Sequence, residues 1–146
     1  MADQSMIEGR MRESYRVFRP IATRWMDNDV YGHVNNVAYY SYFDTAVNAW
    51  LMEATRQDIR RLPAIGVVVE TGCRYFSEVS FPEVLELGLA LERLGNSSLV
   101  YRLGLFRQGE PLAAAVGRFV HVYVDAGTRR PVAVPEVIRS AVAALQ

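Results

Sequence analysis

Residues 25–50, WMDNDVYGHVNNVAYYSYFDTAVNAW, decide how the rest of the chain is read. The stretch opens with two acids one residue apart, Asp27 and Asp29, turns at Tyr31-Gly32 and then becomes strongly patterned. Val37, Tyr40, Phe43, Val47, Trp50 and Ala54 recur at steps of three and four, the period of an amphipathic helix. Asn35 or Asn36 is placed to cap that helix, because a short side-chain oxygen accepts from the free N–H groups of the first turn. No proline interrupts residues 25–56. A carboxylate-bearing loop therefore runs straight into the positive end of a long helix. Such an end stabilises negative charge. An acid just upstream can serve as base or nucleophile on a carbonyl whose oxygen faces those N–H groups. By spacing alone the plainer use of the two aspartates, as turn and cap residues, is the commoner one.

Outward from this stretch, Ser14 to Arg24 reads as a first strand, with Pro20 marking an edge or an irregularity. Gln57 to Pro63 is polar and suits an exit loop. Four further strands fit the remainder: 65–78, 84–94, Leu99 to about Gly109, and 113–124. In the second of these Leu85, Leu87, Leu89 and Leu91 alternate with Glu86 and Glu92, the period of a half-buried strand. Gly95-Asn96 predicts a hairpin turn, with Ser97-Ser98 able to lengthen it. Residues 135–145 close as a short helix with Pro135 at its start. Gly88, Gly104 and Gly117 lie inside three strands, where glycine marks a bulge, a curl or a close backbone approach. A sheet wrapped tightly around one helix needs such positions. The fold class is α+β, a curved antiparallel sheet around one long central helix. One helix covers one face, so the open face and the edges need covering.

At 146 residues the chain is most simply one domain with a real core. Sixteen basic and sixteen acidic side chains cancel, so nothing points to nucleic acid or to an anionic membrane surface. One cysteine, Cys73, excludes an intrachain disulfide, and with two histidines the chain is too poor in ligands for a usual zinc site. No run of about 18 apolar residues predicts a membrane span. The polar N-terminus lacks the apolar segment of a signal peptide, so a cytoplasmic protein is expected. Ile7-Glu8-Gly9-Arg10 also spells a common engineered protease site. Residues 1–12 are accordingly set apart as a flexible tail, and 13–146 as a single domain.

Asp27 to Tyr39, D-N-D-V-Y-G-H-V-N-N-V-A-Y, resembles the signature of hotdog-fold acyl-CoA thioesterases of the 4-hydroxybenzoyl-CoA thioesterase type. The tail FVHVYVD (119–125) followed by RPVAVP (130–135) is similar to that family's last strand and ending. The resemblance spans nearly the whole chain after Tyr15. It implies the hotdog fold, and a homodimer or homotetramer with active sites between subunits. It also implies hydrolysis of an acyl-CoA or acyl carrier protein thioester without metal or cofactor.

Residue by residue, the resemblance assigns Asp29 as the catalytic carboxylate, nucleophile or general base, and Asn36 as the residue whose backbone N–H polarises the thioester carbonyl. Asp27 is expected to be a structural acid beside it. Gly32 permits the tight turn, and His33 orients substrate or Asp29 or bonds the loop backbone. Tyr39 serves as core or ligand contact. Asp44 and Asn48, one turn apart, pair with each other or face the acyl end of the pocket or the other subunit. Arg93, Ser97 and Ser98 stand where some relatives carry adjacent arginines for coenzyme A phosphates. That departure leaves the grip on nucleotide open. Cys73 is expected as buried filler, and Glu70 on the outer face or at a subunit contact. The competing readings are a non-catalytic acyl-CoA-binding module and a hotdog hydratase or dehydratase. The latter relies on an Asp/His pair from a different motif, which is absent from this sequence.

Overall fold

The computed structural model describes residues 8–146. Helix α1 spans Asn36–Thr55. It begins where Asn35, in extended backbone, accepts the Val37 N–H on its side-chain oxygen at 3.0 Å. Asn35 is thus the cap and Asn36 the first helical residue. The buried face is Tyr39, Tyr42, Phe43, Ala46, Val47, Trp50 and Leu51. Phe43, Val47 and Trp50 match the expected stripe, whereas Val37 and Ala54 are exposed and Tyr40 is half-buried. The buried face is two rows wide and takes in Tyr39, Tyr42, Ala46 and Leu51 as well, so a stripe of one residue per turn shares only its central residues with it.

Five strands form one antiparallel sheet: β1 (Val17–Ala22), β2 (Ala64–Tyr75), β3 (Val84–Leu94), β4 (Ser98–Arg107) and β5 (Ala115–Asp125), in the order β1-β3-β4-β5-β2. β1 is shorter than expected, since the 3-10 turn Arg12–Ser14 takes its first residue and Arg24 at its far end caps the 3-10 turn Trp25–Asp27. β2 stops at Tyr75 because the Phe76 and Ser77 N–H groups both turn onto the Ala114 carbonyl, at 2.8 and 3.1 Å. Alternation sends Leu85, Leu87 and Leu89 of β3, and Leu99, Tyr101, Leu103 and Leu105 of β4, into the core shared with α1. This is the hotdog architecture that the motif implies, with α1 as its filling.

The interior glycines make close approaches. A Cβ on Gly117 would strike the ring of Phe43, which is fully buried. Gly88 and Gly104 instead admit Tyr15 to the other face of the sheet. The ladder shifts register elsewhere, between Val68 and Glu70 in β2 and between Leu91 and Arg93 in β3.

That other face carries a second small core of Tyr15, Ala90, Phe106, Ala113 and Val116. Arg12 lies 4.7 Å over the Phe106 ring and pairs with Glu86 at 3.0 Å, and Arg10 lies 4.1 Å over Phe76. Met11 bridges Leu112, and the Arg12 N–H donates to Pro111 O at 3.0 Å. Of the stretch set apart as a tail, residues 1–7 lie outside the described residues, and residues 10–12 make these contacts. The open face is therefore covered in part by the chain's own N-terminal segment.

The short helix α2 (Glu136–Val142) buries Ile138 and Val142, and Arg139 donates to the carbonyls of Gly95 and Asn96 in the β3–β4 hairpin. α2 and this hairpin thus close one end of the sheet, and the loop after β1 lies at the other.

Candidate active site

The loop 24–35 is built around Asp27, which is 3 % exposed. One carboxylate oxygen accepts from the Arg24 N–H at 2.9 Å and from the Tyr42 hydroxyl at 2.6 Å. The other accepts from Arg24 Nε and Nη2 at 3.1 and 2.8 Å. The Asp27 backbone carbonyl accepts the Asn35 N–H at 2.8 Å. Burial pushes this carboxyl up, but the bonds from Tyr42 and Arg24 outweigh it and hold the group below the usual carboxylate range. With its acceptor sites occupied, Asp27 anchors the loop to α1 and has nothing left for a substrate. This agrees with its expected structural part.

Asp29 stands differently. Its Oδ1 accepts from the Tyr31 N–H at 2.9 Å and the His33 N–H at 3.4 Å. Its Oδ2 accepts no hydrogen bond among the described residues. A tight turn, with Gly32 at φ +85°, lets the Asp29 N–H reach His33 O at 2.8 Å and the Gly32 N–H reach Asp29 O at 3.1 Å. Hydrogen bonds staple the loop to residues 79–81. Ser80 Oγ donates to Gly32 O at 2.6 Å, the Val34 N–H to Val79 O at 2.9 Å, and the Phe81 N–H to Asn28 Oδ1 at 3.0 Å.

A cavity of about 730 Å³ opens beside this turn, with Asp29, His33, Asn36 and Tyr39 on one wall and Tyr75 and Glu78 on the other. The Asn36 N–H, first of the helix, has no acceptor among the described residues. A carboxylate with an uncommitted oxygen and a free helix-terminal N–H thus border the same space. His33 Nε2 lies 2.8 Å from Glu78 Oε2 across the cavity. Tyr39 packs edge-on against Tyr75 with ring centres 4.9 Å apart, and burial raises its hydroxyl pKa to about 12.

Of the residues singled out in the sequence, the structure brings Asp29, His33, Asn36 and Tyr39 together, with Gly32 shaping the turn. The others lie elsewhere. Asn48 donates to the Asp44 carbonyl at 2.8 Å and to Asp44 Oδ1 at 3.2 Å. Neither borders the Asp29 cavity, because both sit two to three turns further along α1. Arg93, Ser97 and Ser98 belong to the β3–β4 hairpin. The length of β3 puts that hairpin roughly 30 Å from the Asp29 end of the sheet in the same chain. Glu70 pairs with Arg118 at 3.0 Å. Cys73 is half-buried in β2 rather than fully buried, and burial pushes its thiol up to about 12.

Sequence reasoning missed the opposite wall, Tyr75 and Glu78. Glu78 meets His33 only through the path of β2, and no local pattern announces the pair. Tyr42, the partner of Asp27, lies outside the apolar stripe counted along the sequence.

No three of His, Cys, Asp and Glu cluster to hold a metal among the described residues, and no helix among them is long and apolar enough to cross a membrane. The sequence model of the thioesterase-like superfamily matches residues 23–142. Among solved structures, the PA5185 protein of Pseudomonas aeruginosa PAO1 is 55 % identical, with TM-score 0.90 over 94 % of this chain and 96 % of that one. The PA2801 protein of the same species is 33 % identical, with TM-score 0.78 over 86 % of this chain and 96 % of that one. A Thermus thermophilus thioesterase, solved with coenzyme A and Zn, is 28 % identical, with TM-score 0.76 over 91 % of this chain and 96 % of that one.

Proposed function

The chain belongs to the thioesterase-like superfamily, and from that premise we propose that it hydrolyses acyl-CoA thioesters with Asp29 as its catalytic carboxylate. The observation that carries the reading is the pairing on one cavity of Asp29, with Oδ2 uncommitted, and the unpartnered Asn36 N–H at the start of α1. The thioester carbonyl oxygen points at that N–H, which stabilises the negative charge that develops on it. Asp29 then acts in one of two ways. As nucleophile it bonds to the carbonyl carbon, the thiolate leaves and takes up a proton, and water hydrolyses the resulting anhydride. As general base it takes a proton from the water that attacks the carbon. Both routes consume one water and yield free acid and thiol, and neither draws on a metal or cofactor.

His33, braced by Glu78, and the Tyr39–Tyr75 pair flank the acyl position. The coenzyme A form of substrate is supported by the Thermus thermophilus relative solved with coenzyme A. Arg93, Ser97 and Ser98 can meet the nucleotide end of a substrate in this cavity only from another copy of the chain. The assembly that fits is a homodimer, or a tetramer of such dimers.

The experiment is thiol release from acyl-CoA thioesters of graded chain length and from aromatic ones, with matched carrier-protein thioesters alongside. Turnover of CoA thioesters is expected. Saturable acyl-CoA binding with no thiol release from any of them would make the chain a binding module instead.

A further inference from the structure

A second cavity, of about 270 Å³, lies towards the C-terminal end of α1 and shares no lining residue with the cavity at Asp29. Its apolar wall includes Leu51, Leu62 and Ile138, and its polar side His121, Asn48, Tyr123 and Arg60, the last paired with Asp58. His121 sits on β5 opposite Leu99 of β4 and Val68 of β2, on the face turned towards α1. The side chain is 3 % exposed, yet neither ring nitrogen has a hydrogen-bond partner among the described residues. The Tyr101 ring stands edge-on at 5.2 Å, and its own buried hydroxyl is likewise unpartnered. Burial lowers the His121 pKa to about 4 against the opposing pull of Asp44, so the ring is neutral.

Buried polar atoms are almost always satisfied, and a neutral imidazole offers one N–H donor and one bare nitrogen acceptor. A water needs two to four polar partners and would leave the Leu and Ile side of the cavity bare. A space with an apolar body and a few polar groups at one place is the form of a small-molecule site. One head group reaches only one ring nitrogen. A hydroxyl can meet either, donating to the bare nitrogen or accepting from the N–H, whereas a carboxylate can only accept and an ammonium can only donate. We propose that this cavity binds a small alcohol or phenol, its hydroxyl hydrogen-bonded to the His121 imidazole and its hydrocarbon body against Leu51, Leu62 and Ile138. The site stands apart from thioester chemistry and is tested without turnover.

The probe is 4-ethylphenol, titrated into the full chain, with 4-ethyltoluene as its hydroxyl-free match. Imidazole nitrogens are followed by NMR. The chain has two histidines, so a His33→Gln variant assigns the His121 signals. A saturable shift of the His121 nitrogens is expected, with 4-ethyltoluene binding roughly tenfold more weakly, the ratio set by one hydrogen bond. His121→Phe, which keeps a ring in the same place, is expected to bring the two probes within about twofold of each other. No saturable shift at His121, equal affinity for the two probes, or a preference that survives in His121→Phe would each overturn the proposal. Should that variant not fold, the wild-type comparison of the two probes decides alone.

Discussion

Asp27 and Asp29 are two positions apart and chemically alike, and the loop bonds them differently. Asp27 is saturated by Arg24 and Tyr42, so its charge is spent on holding the loop to α1. An asparagine there offers one acceptor oxygen in place of two and no charge. Asp27→Asn is expected to cost about 2 kcal/mol of stability at neutral pH, the scale of hydrogen bonds to a buried charge. The pH dependence follows from the lowered carboxyl pKa. The stabilisation is fully present above the unfolded-state value of about 3.9 and is lost as pH falls through the lower folded value. Urea unfolding should therefore find the gap between wild type and variant constant from about pH 7 to about pH 5, and closing below about pH 4. A gap that persists undiminished in strong acid would show that packing, not charge, sets the loss.

At the scale of elements, α1 and the sheet are locked by one close approach, the Phe43 ring over Gly117 of β5. Phe43 is fully buried and has no room to yield. Gly117→Ala should destabilise by about 1–3 kcal/mol, the usual cost of overpacking a tight core. Thermal unfolding reads this directly, and an unchanged or higher Tm would mean that the helix can lift from the sheet. Much of this level was legible in the sequence. Strand alternation at Leu85–Leu91 and Leu99–Leu105 and the capped helix after Asn35 are local patterns, and local patterns survive folding. What could not be read is where distant ends meet. Arg93, Ser97 and Ser98 look like site residues beside a hairpin, but the path of β3 carries them to the far end of the sheet. Glu78 reaches His33 for the converse reason, since β2 returns its end to the loop after β1. Glycines at 88, 104 and 117 were recognisable as special. Which aromatic ring each admits depends on which face of the sheet it lies on.

The whole molecule leaves β2 as an edge strand of 12 residues, with Val68 and Val69 exposed. A long, partly apolar edge is a ready template for pairing with another strand. The cavity at Asp29 is bordered by Tyr75 at the end of that same edge. A second copy joined there would wall the cavity and complete it. Sedimentation velocity at assay concentration should thus show a dimer or a larger assembly, with activity lost on dilution to monomer. A monomer of undiminished activity would contradict a site shared between chains.

The central claim is that Asp29, not Asp27, does the chemistry, and kcat for Asp29→Asn on the best acyl-CoA substrate tests it most directly. The two side chains are nearly isosteric, and the Asp29 side chain accepts from only two backbone N–H groups of its turn, so circular dichroism should show an unaltered fold. We predict a loss in kcat of roughly 10²–10⁴-fold for a general base, and more for a nucleophile. Asp27→Asn, assayed where it remains folded, should lose far less. Near wild-type turnover by Asp29→Asn, or a larger loss in Asp27→Asn, would contradict the account.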